Sequence, residues 1–295
     1  MATDAHCHLG DLLKHLPQAE QERRRLGFAC AASAWNVEDF TCHEELARHA
    51  QQDKAPRIFL CFALHPQLPA VAAGQGSGAI PAFSALLSFM ETLAAEGRVH
   101  AIGETGFDLY NPAFRDTEAL QDELFAVHLE LALSRQLPLV LHVRKAMHKV
   151  FAHKQALKKL PALIFHAYSG TLGEGEALLR QGINGYFSFG SALVWGRKES
   201  IRACAGLPLN RVLLETDAPY QPLKGRPFSS GQDLPVILQV VSRLRSDGGH
   251  EATLESIIDA NFYRAYGSAM SGGSFRSPLE KDFPNSRAYG IVKEL

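Results

Sequence analysis

Histidines and carboxylates close five apolar runs of this chain: Asp4-Ala5-His6-Cys7-His8, Gly103-Glu104-Thr105-Gly106-Phe107-Asp108, Leu141-His142, Phe165-His166 and Leu213-Leu214-Glu215-Thr216-Asp217. A polar side chain at the end of a buried strand stands where parallel α/β barrels keep their chemistry. Four imidazoles and two carboxylates placed in this way form a donor set for divalent metal, with ligands enough for two ions.

Each motif has a physical reading. His6 and His8 are two apart on a strand, so both point to one face, and two imidazoles at that spacing can hold one ion. Asp4 reads as sharing that face, with Cys7 turned outward. Glu104 carries two oxygens with about four lone-pair sites, so it can bridge two cations. Gly103 and Gly106 let the backbone turn tightly around it. His142 and His166 end successive strands and can converge on a second ion. Asp217 ends the last strand, which neighbours the first in a closed barrel, so it reaches the ion of His6 and His8. There it can orient a water and accept its proton. Glu215, on the same strand face, reads as the partner that orients a ligand.

A wider set could meet a substrate. His65, in Leu64-His65-Pro66, ends the third strand. Arg144 and Lys145 are the nearest cations for a phosphate. Tyr168 and Ser169 follow His166 in a short loop. Every one of these residue types also serves as an ordinary cap, ion-pair partner or turn residue. It is their convergence at strand ends that selects chemistry. His15, His43, His49, His128, His148 and His153 lie on helix-like stretches and read as surface or packing residues.

The elements that must position these groups alternate regularly. Strands are predicted at Thr3–His8, Leu26–Ala32, Arg57–Leu64, Val99–Glu104, Leu137–His142, Ala162–His166, Gly185–Phe189 and Arg211–Thr216. Helical patterns lie between them at Glu44–Ala50, Phe83–Ala95, Thr117–Arg135, His148–Leu160, Gly173–Gln181 and Lys198–Ala205. Two more follow, about Asp233–Arg245 and Ala252–Tyr266. Eight strand–helix units predict an α/β fold of the (β/α)8 TIM-barrel type, with the site at the C-terminal ends of the strands. An open doubly wound sheet is the other topology, and the first strand lacks the Gly-rich turn it would carry. Residues 1–267 make the barrel domain. From residue 268 the composition turns to Gly, Ser and Pro, which reads as a surface tail over 268–295. Gly74–Gly78 reads as a loop.

Composition excludes several classes. The formal net charge of −1 provides no global basic field for nucleic acid, so phosphate binding must be local. The five cysteines are odd in number and form no CxxC pair, which indicates a reducing compartment. With no apolar run of membrane-spanning length and no leader-like N-terminus, a cytoplasmic protein is expected, with no membrane and no obligate protein partner indicated.

In combination these motifs resemble the TatD family of metal-dependent deoxyribonucleases, within the amidohydrolase-like barrels. The resemblance rests on Asp4–Leu9, Leu64-His65-Pro66, Ala101–Asp108, Leu137–Ala146, His166–Gly170 and Leu213–Tyr220, with Asn261-Phe262-Tyr263-Arg264 similar to the family's closing helix. It spans roughly residues 3 to 267. The resemblance implies that His6, His8, Glu104 and Asp217 hold one ion and that Glu104, His142 and His166 hold another. It implies hydrolysis of DNA phosphodiesters, often from a 3′ end, with Glu104 and Asp217 at the centre of catalysis and Mg, Mn or Zn as the metal. Lys145 stands where the family often has an acid, and Ala167-Tyr168 where it often has Cys-Phe. Two other readings remain: a hydrolase of a small ester, lactone or amide on the same barrel, and a metal-stabilised scaffold without activity.

Overall fold

Eight strands run parallel and are hydrogen-bonded in sequence order: β1 (Asp4–Cys7), β2 (Cys30–Ala34), β3 (Ile58–Phe62), β4 (Ala101–Asp108), β5 (Leu139–Arg144), β6 (Leu163–Phe165), β7 (Gly185–Phe189) and β8 (Val212–Leu214). The computed structural model describes residues 2–75 and 82–267. The expected tail, 268–295, lies outside the described residues, as does most of the Gly74–Gly78 patch. Gly74 itself belongs to a helix, Leu68–Gln75.

The strands form because their alternate residues serve two cores. Inside the barrel sit Ala5, Ala31, Phe59, Cys61, Ala101, Val140, Ile164, Tyr186 and Leu213. Small residues from β1, β2 and β4 leave room for the large ones of β3 and β7. The last helix, Glu251–Gly267, packs Phe262 and Tyr266 into the same interior cluster. The Tyr266 hydroxyl donates to the Ala5 carbonyl at 2.7 Å, and Asp259 accepts from the Thr3 N–H at 2.7 Å. Outward residues such as Cys7, Phe62, Leu141 and Phe187 join a second, larger core with the helices.

Several boundaries differ from the sequence reading, for local reasons. β2 starts at Cys30, because Leu26 ends a helix, Ala19–Leu26, that Gly27 terminates at φ 78°. The helix read as Glu44–Ala50 begins at Val37, where Asn36 caps it by accepting from the Asp39 N–H. The stretch His148–Leu160 breaks into Met147–Ala152 and Lys154–Leu157. β4 continues past Glu104 to Asp108.

The barrel closes at the site itself. β8 and β1 meet through the Asp217 N–H on the His6 carbonyl (2.9 Å) and the His8 N–H on the Ala218 carbonyl (2.7 Å). The Asp4 carboxylate ties the seam: it accepts from the Thr216 N–H (2.9 Å), the Thr216 hydroxyl (2.6 Å) and the His6 N–H (3.3 Å). This corrects the reading that Asp4 shares the histidines' face. β1 takes three residues between Asp4 and Cys7 where β2 takes two, and this bulge shifts the alternation by one. Asp4 therefore faces the seam, beside Cys7, Leu9 and Ala218.

Asp4→Ala leaves buried donors at the seam without an acceptor. The expected loss is ~1–3 kcal/mol of stability, with a smaller loss for Asp4→Asn, which keeps one carbonyl oxygen there. Denaturant titration of the three proteins checks this, and equal midpoints would contradict it.

Candidate metal centre

Glu104 stands at the middle of the site because β4 and β5 approach closely around it. β4 carries a bulge between Ile102 and Thr105. A Cβ on Gly103 would meet the Val140 side chain at 2.4 Å, and one on Gly106 would meet the His142 carbonyl oxygen at 2.3 Å. Gly106 also has φ 128°, which favours glycine. These two glycines let the strands run side by side, so that Glu104 and His142 meet.

The two Glu104 oxygens serve two groups. Oε2 lies 3.2 Å from His6 Nε2 and 3.9 Å from His8 Nε2. The two histidine nitrogens are 3.2 Å apart, and Asp217 Oδ1 is 3.8 Å from His6 and 3.5 Å from His8. Oε1 faces His142 Nδ1 at 2.7 Å, His65 Nε2 at 3.3 Å and His166 Nε2 at 3.5 Å. Three sets of donor atoms lie within 4.8 Å of one another among the described residues: His6, His8 and Asp217; His6, Glu104 and His166; His65, Glu104 and His142. All six residues singled out as ligands converge, and His65, read from the sequence as a substrate contact, stands among them.

The convergence fits metal. The ionisable groups facing the Glu104 and Asp217 carboxylates are imidazoles, with no Lys or Arg in an ion pair with either among the described residues. Imidazole nitrogens aim at one another, as at His6 and His8, in the way ligands of a shared cation do. Mixed nitrogen and oxygen donors suit first-row divalent ions.

A family model, TatD related DNase, matches residues 3–267. The chain belongs to this family. Its relatives include a protein named 3′-5′ ssDNA/RNA exonuclease TatD from Cronobacter sakazakii, 36% identical over 60% of this chain and 68% of that protein. An uncharacterized metal-dependent hydrolase TatD from Mycobacterium tuberculosis is 29% identical over 90% of this chain and 97% of that one. The fold matches a TatD homologue from Escherichia coli K12 (TM-score 0.71, 24% identity, 90% of this chain and 98% of that chain). It also matches an uncharacterized amidohydrolase from Saccharomyces cerevisiae (TM-score 0.70, 16% identity, 90% and 99%). The TatD resemblance and the (β/α)8 barrel expected from the sequence are thus both borne out, and the reaction class is metal-dependent hydrolysis.

In this TatD-family chain, carboxylates behind the candidate ligands hold the imidazoles. His142 turns its Nε2 to Asp108 Oδ2 at 3.0 Å. Asp108 is fully buried, accepts from Gln67 Nε2 at 2.7 Å and has its backbone N–H held by Gln121. His166 places Nδ1 3.0 Å from Glu215 Oε1, which also accepts the Ala167 N–H. Glu215 thus occupies the orienting position expected of it. Asp108 and Gln121 were missed, although period-two alternation from Glu104 through Gly106 to Asp108 could have pointed to the acid. Gln221, donating to Asp217 Oδ2 at 2.6 Å, carries no sequence signal of this kind.

Protonation follows from this packing. Burial opposes ionisation of Glu104, yet His166, His65 and His6 hold it well below the usual carboxylate range. Burial likewise opposes ionisation of Asp108 and Asp217, and their histidine partners hold both at about 2. Burial lowers His6 and His65. Against burial, carboxylates raise His8 and His142, and Glu215, Glu104 and Asp217 push His166 up to about 10.

A cleft of about 1070 Å³ opens above these groups. Arg144 lines it, 3.6 Å from Asp108 and with its guanidinium over the Tyr110 ring at 4.2 Å. Lys145 also rests over Tyr110, at 4.7 Å, but is not among the lining residues. Arg197 and Lys198 line the wall and were missed, because they open what reads as an ordinary solvated helix. Tyr168 also lines the cleft, with its ring packed among Phe165, Phe187 and Phe189 and its hydroxyl donating to the Thr171 carbonyl. Ser169 lines the cleft, its hydroxyl 3.3 Å from the Val143 carbonyl. His43 and His128 are buried packing residues, holding the N–H groups of Gly10 and Leu64.

Two outcomes follow. His166, at about 10, carries a proton at pH 7 in the metal-free site, whereas an ion needs its lone pair. Titration calorimetry in buffers of differing ionisation enthalpy should show about one proton or more released as the site fills, with affinity falling as pH drops. Metal uptake without proton release contradicts the arrangement. Asp108→Asn should weaken metal binding by about 10- to 100-fold, since His142 loses its carboxylate support. An unchanged metal titration would remove Asp108 from that role.

Proposed function

We propose that this protein is a divalent-metal-dependent deoxyribonuclease that cleaves DNA phosphodiester bonds from a 3′ end, acting on single strands or strand ends. The observation that carries the reading is Glu104, a buried carboxylate whose two oxygens address two separate groups of imidazoles. His6, His8, Glu104 and Asp217 would hold one ion. Glu104, His142 and His166, with His65 beside them, would hold the other. When bound, divalent ions polarise a phosphoryl oxygen and lower the pKa of water. The imidazole-rich set favours Mn or Zn over Mg.

The side chains do the rest. Asp217 is ionised at neutral pH, is oriented by Gln221 and accepts the proton of the attacking water. Arg144, held by Tyr110 and Asp108, meets the phosphate. Size favours a phosphodiester in a strand, because the ligand cluster lines a cleft of about 1070 Å³, larger than a small ester needs. Relatives named as single-strand DNA and RNA exonucleases support this substrate class. Residues 1–267 constitute the hydrolase domain in this reading, with 268–295 a tail. No helix among the described residues is long and apolar enough to cross a membrane, and four buried free thiols accord with a reducing, cytoplasmic setting.

The test is hydrolysis of end-labelled single-stranded DNA by chelator-stripped protein, with Mg, Mn and Zn restored separately. Stepwise shortening that needs metal is expected. Glu104→Ala should reduce it by more than the roughly 100-fold typical of a group behind a ligand. Protein that binds two ions yet cuts no strand would instead be a hydrolase of a small ester, lactone or amide.

A further inference from the structure

Large rings stand exposed at few places on this molecule, and the cleft collects them. Among the described residues the exposed large apolar side chains are Val37, Val71, Tyr110, Trp195, Tyr220 and Tyr263. Three of these four aromatic rings, Tyr110, Trp195 and Tyr220, line the cleft. Trp35 lines it as well, so both tryptophans of the chain face the same space. They come from four separate connections, after β2, β4, β7 and β8, so no single local structure explains the gathering.

The rings are set in two ways. Tyr220 stands edge-on to His8, with centroids 5.2 Å apart, and its hydroxyl donates to Asp11 at 2.8 Å. This fixes its ring beside the ligand cluster. Trp195, after β7, is followed closely by Arg197 and Lys198. The neighbouring acid, Glu199, is engaged with Arg202 at 2.7 Å. Neither Arg197 nor Lys198 has an ion-pair partner among the described residues. Across the barrel Tyr110 lies under Arg144 and Lys145.

Flat rings interleaved with unneutralised cations hold single-stranded nucleic acid, bases stacking on the rings and phosphates meeting the charges. We infer that this rim is a stacking platform for unpaired bases. Tyr220 takes the base at the strand end, Trp195 takes the next, and Arg197 and Lys198 meet the backbone phosphates beyond that second base, away from the scissile one. The inference rests on the nuclease reading and adds how the strand is held. Bases inside a duplex have both faces covered, so a paired end must fray before it seats. Stacking reads neither base identity nor a sugar hydroxyl, so DNA and RNA strands are held alike.

The experiment follows the chain's intrinsic tryptophan fluorescence, which reports on the cleft alone. Metal-loaded protein is titrated with a single strand of about ten nucleotides, a length within the usual range for such grooves. Its 3′ linkages are phosphorothioates, and a second strand lacks its last two bases. The intact strand should quench the fluorescence and bind more tightly than the abasic one. Trp195→Ala, followed by anisotropy of a labelled strand, should weaken binding by about 5- to 150-fold, the loss of one stacked base. Trp195→Phe should restore most of it, and the abasic strand should bind Trp195→Ala and wild type alike. If wild type shortens an unmodified strand but binds the intact and abasic strands equally, the platform is wrong while the nuclease reading stands. If it neither binds nor shortens any strand, the nuclease reading falls and takes this inference with it.

Discussion

A single carboxylate, Glu104, is buried among five imidazoles, and the arrangement of the whole strand-end face depends on it. A lone buried carboxylate is costly, and the imidazoles around it, with His166 protonated in the absence of metal, offset that cost. Here His6, His65, His142 and His166 surround it, and His8 stands just beyond. Carboxylates and imidazoles gathered on this scale make a donor set suited to divalent cations. The same crowding holds Glu104 ionised against burial, so that it is ready to bind them.

The fold supplies the precision. Parallel strands deliver their C-terminal ends to one face, and the barrel closes there through backbone bonds from β1 to the residues after β8. His6 and Asp217 therefore share a seam, although they lie at opposite ends of the domain. Below them the packed interior and the closing helix leave no freedom at Ala5. Around them Asp108 and Glu215 fix two of the rings. Side chains set on strands or just past their ends and braced by buried acids are held in place from behind.

Much of this was legible from the residues. Apolar runs of strand length ending in His or Glu mark both the barrel and its active face, because in a parallel sheet the end of the run is also the end of the strand. The candidate ligands His6, His8, Glu104, His142, His166 and Asp217 were all singled out in this way, and the fold brings them together. What escaped has more than one origin. The bulge in β1 shifts a period of two by one residue, which sent Asp4 to the seam, and β4 runs on past its apolar stretch to Asp108. Tyr168 carries a polar group that a pattern cannot aim, and the fold turned its hydroxyl to the Thr171 carbonyl. Arg197 and Lys198 look like any solvated helix start until the loops are assembled in space.

The central claim is that Glu104 bridges two ion sites. Anomalous diffraction from crystals soaked in Mn tests it most directly. The account predicts two peaks flanking the Glu104 carboxylate, one beside His6, His8 and Asp217, the other beside His142 and its neighbours. A single peak, or two peaks neither of which touches Glu104, would contradict it.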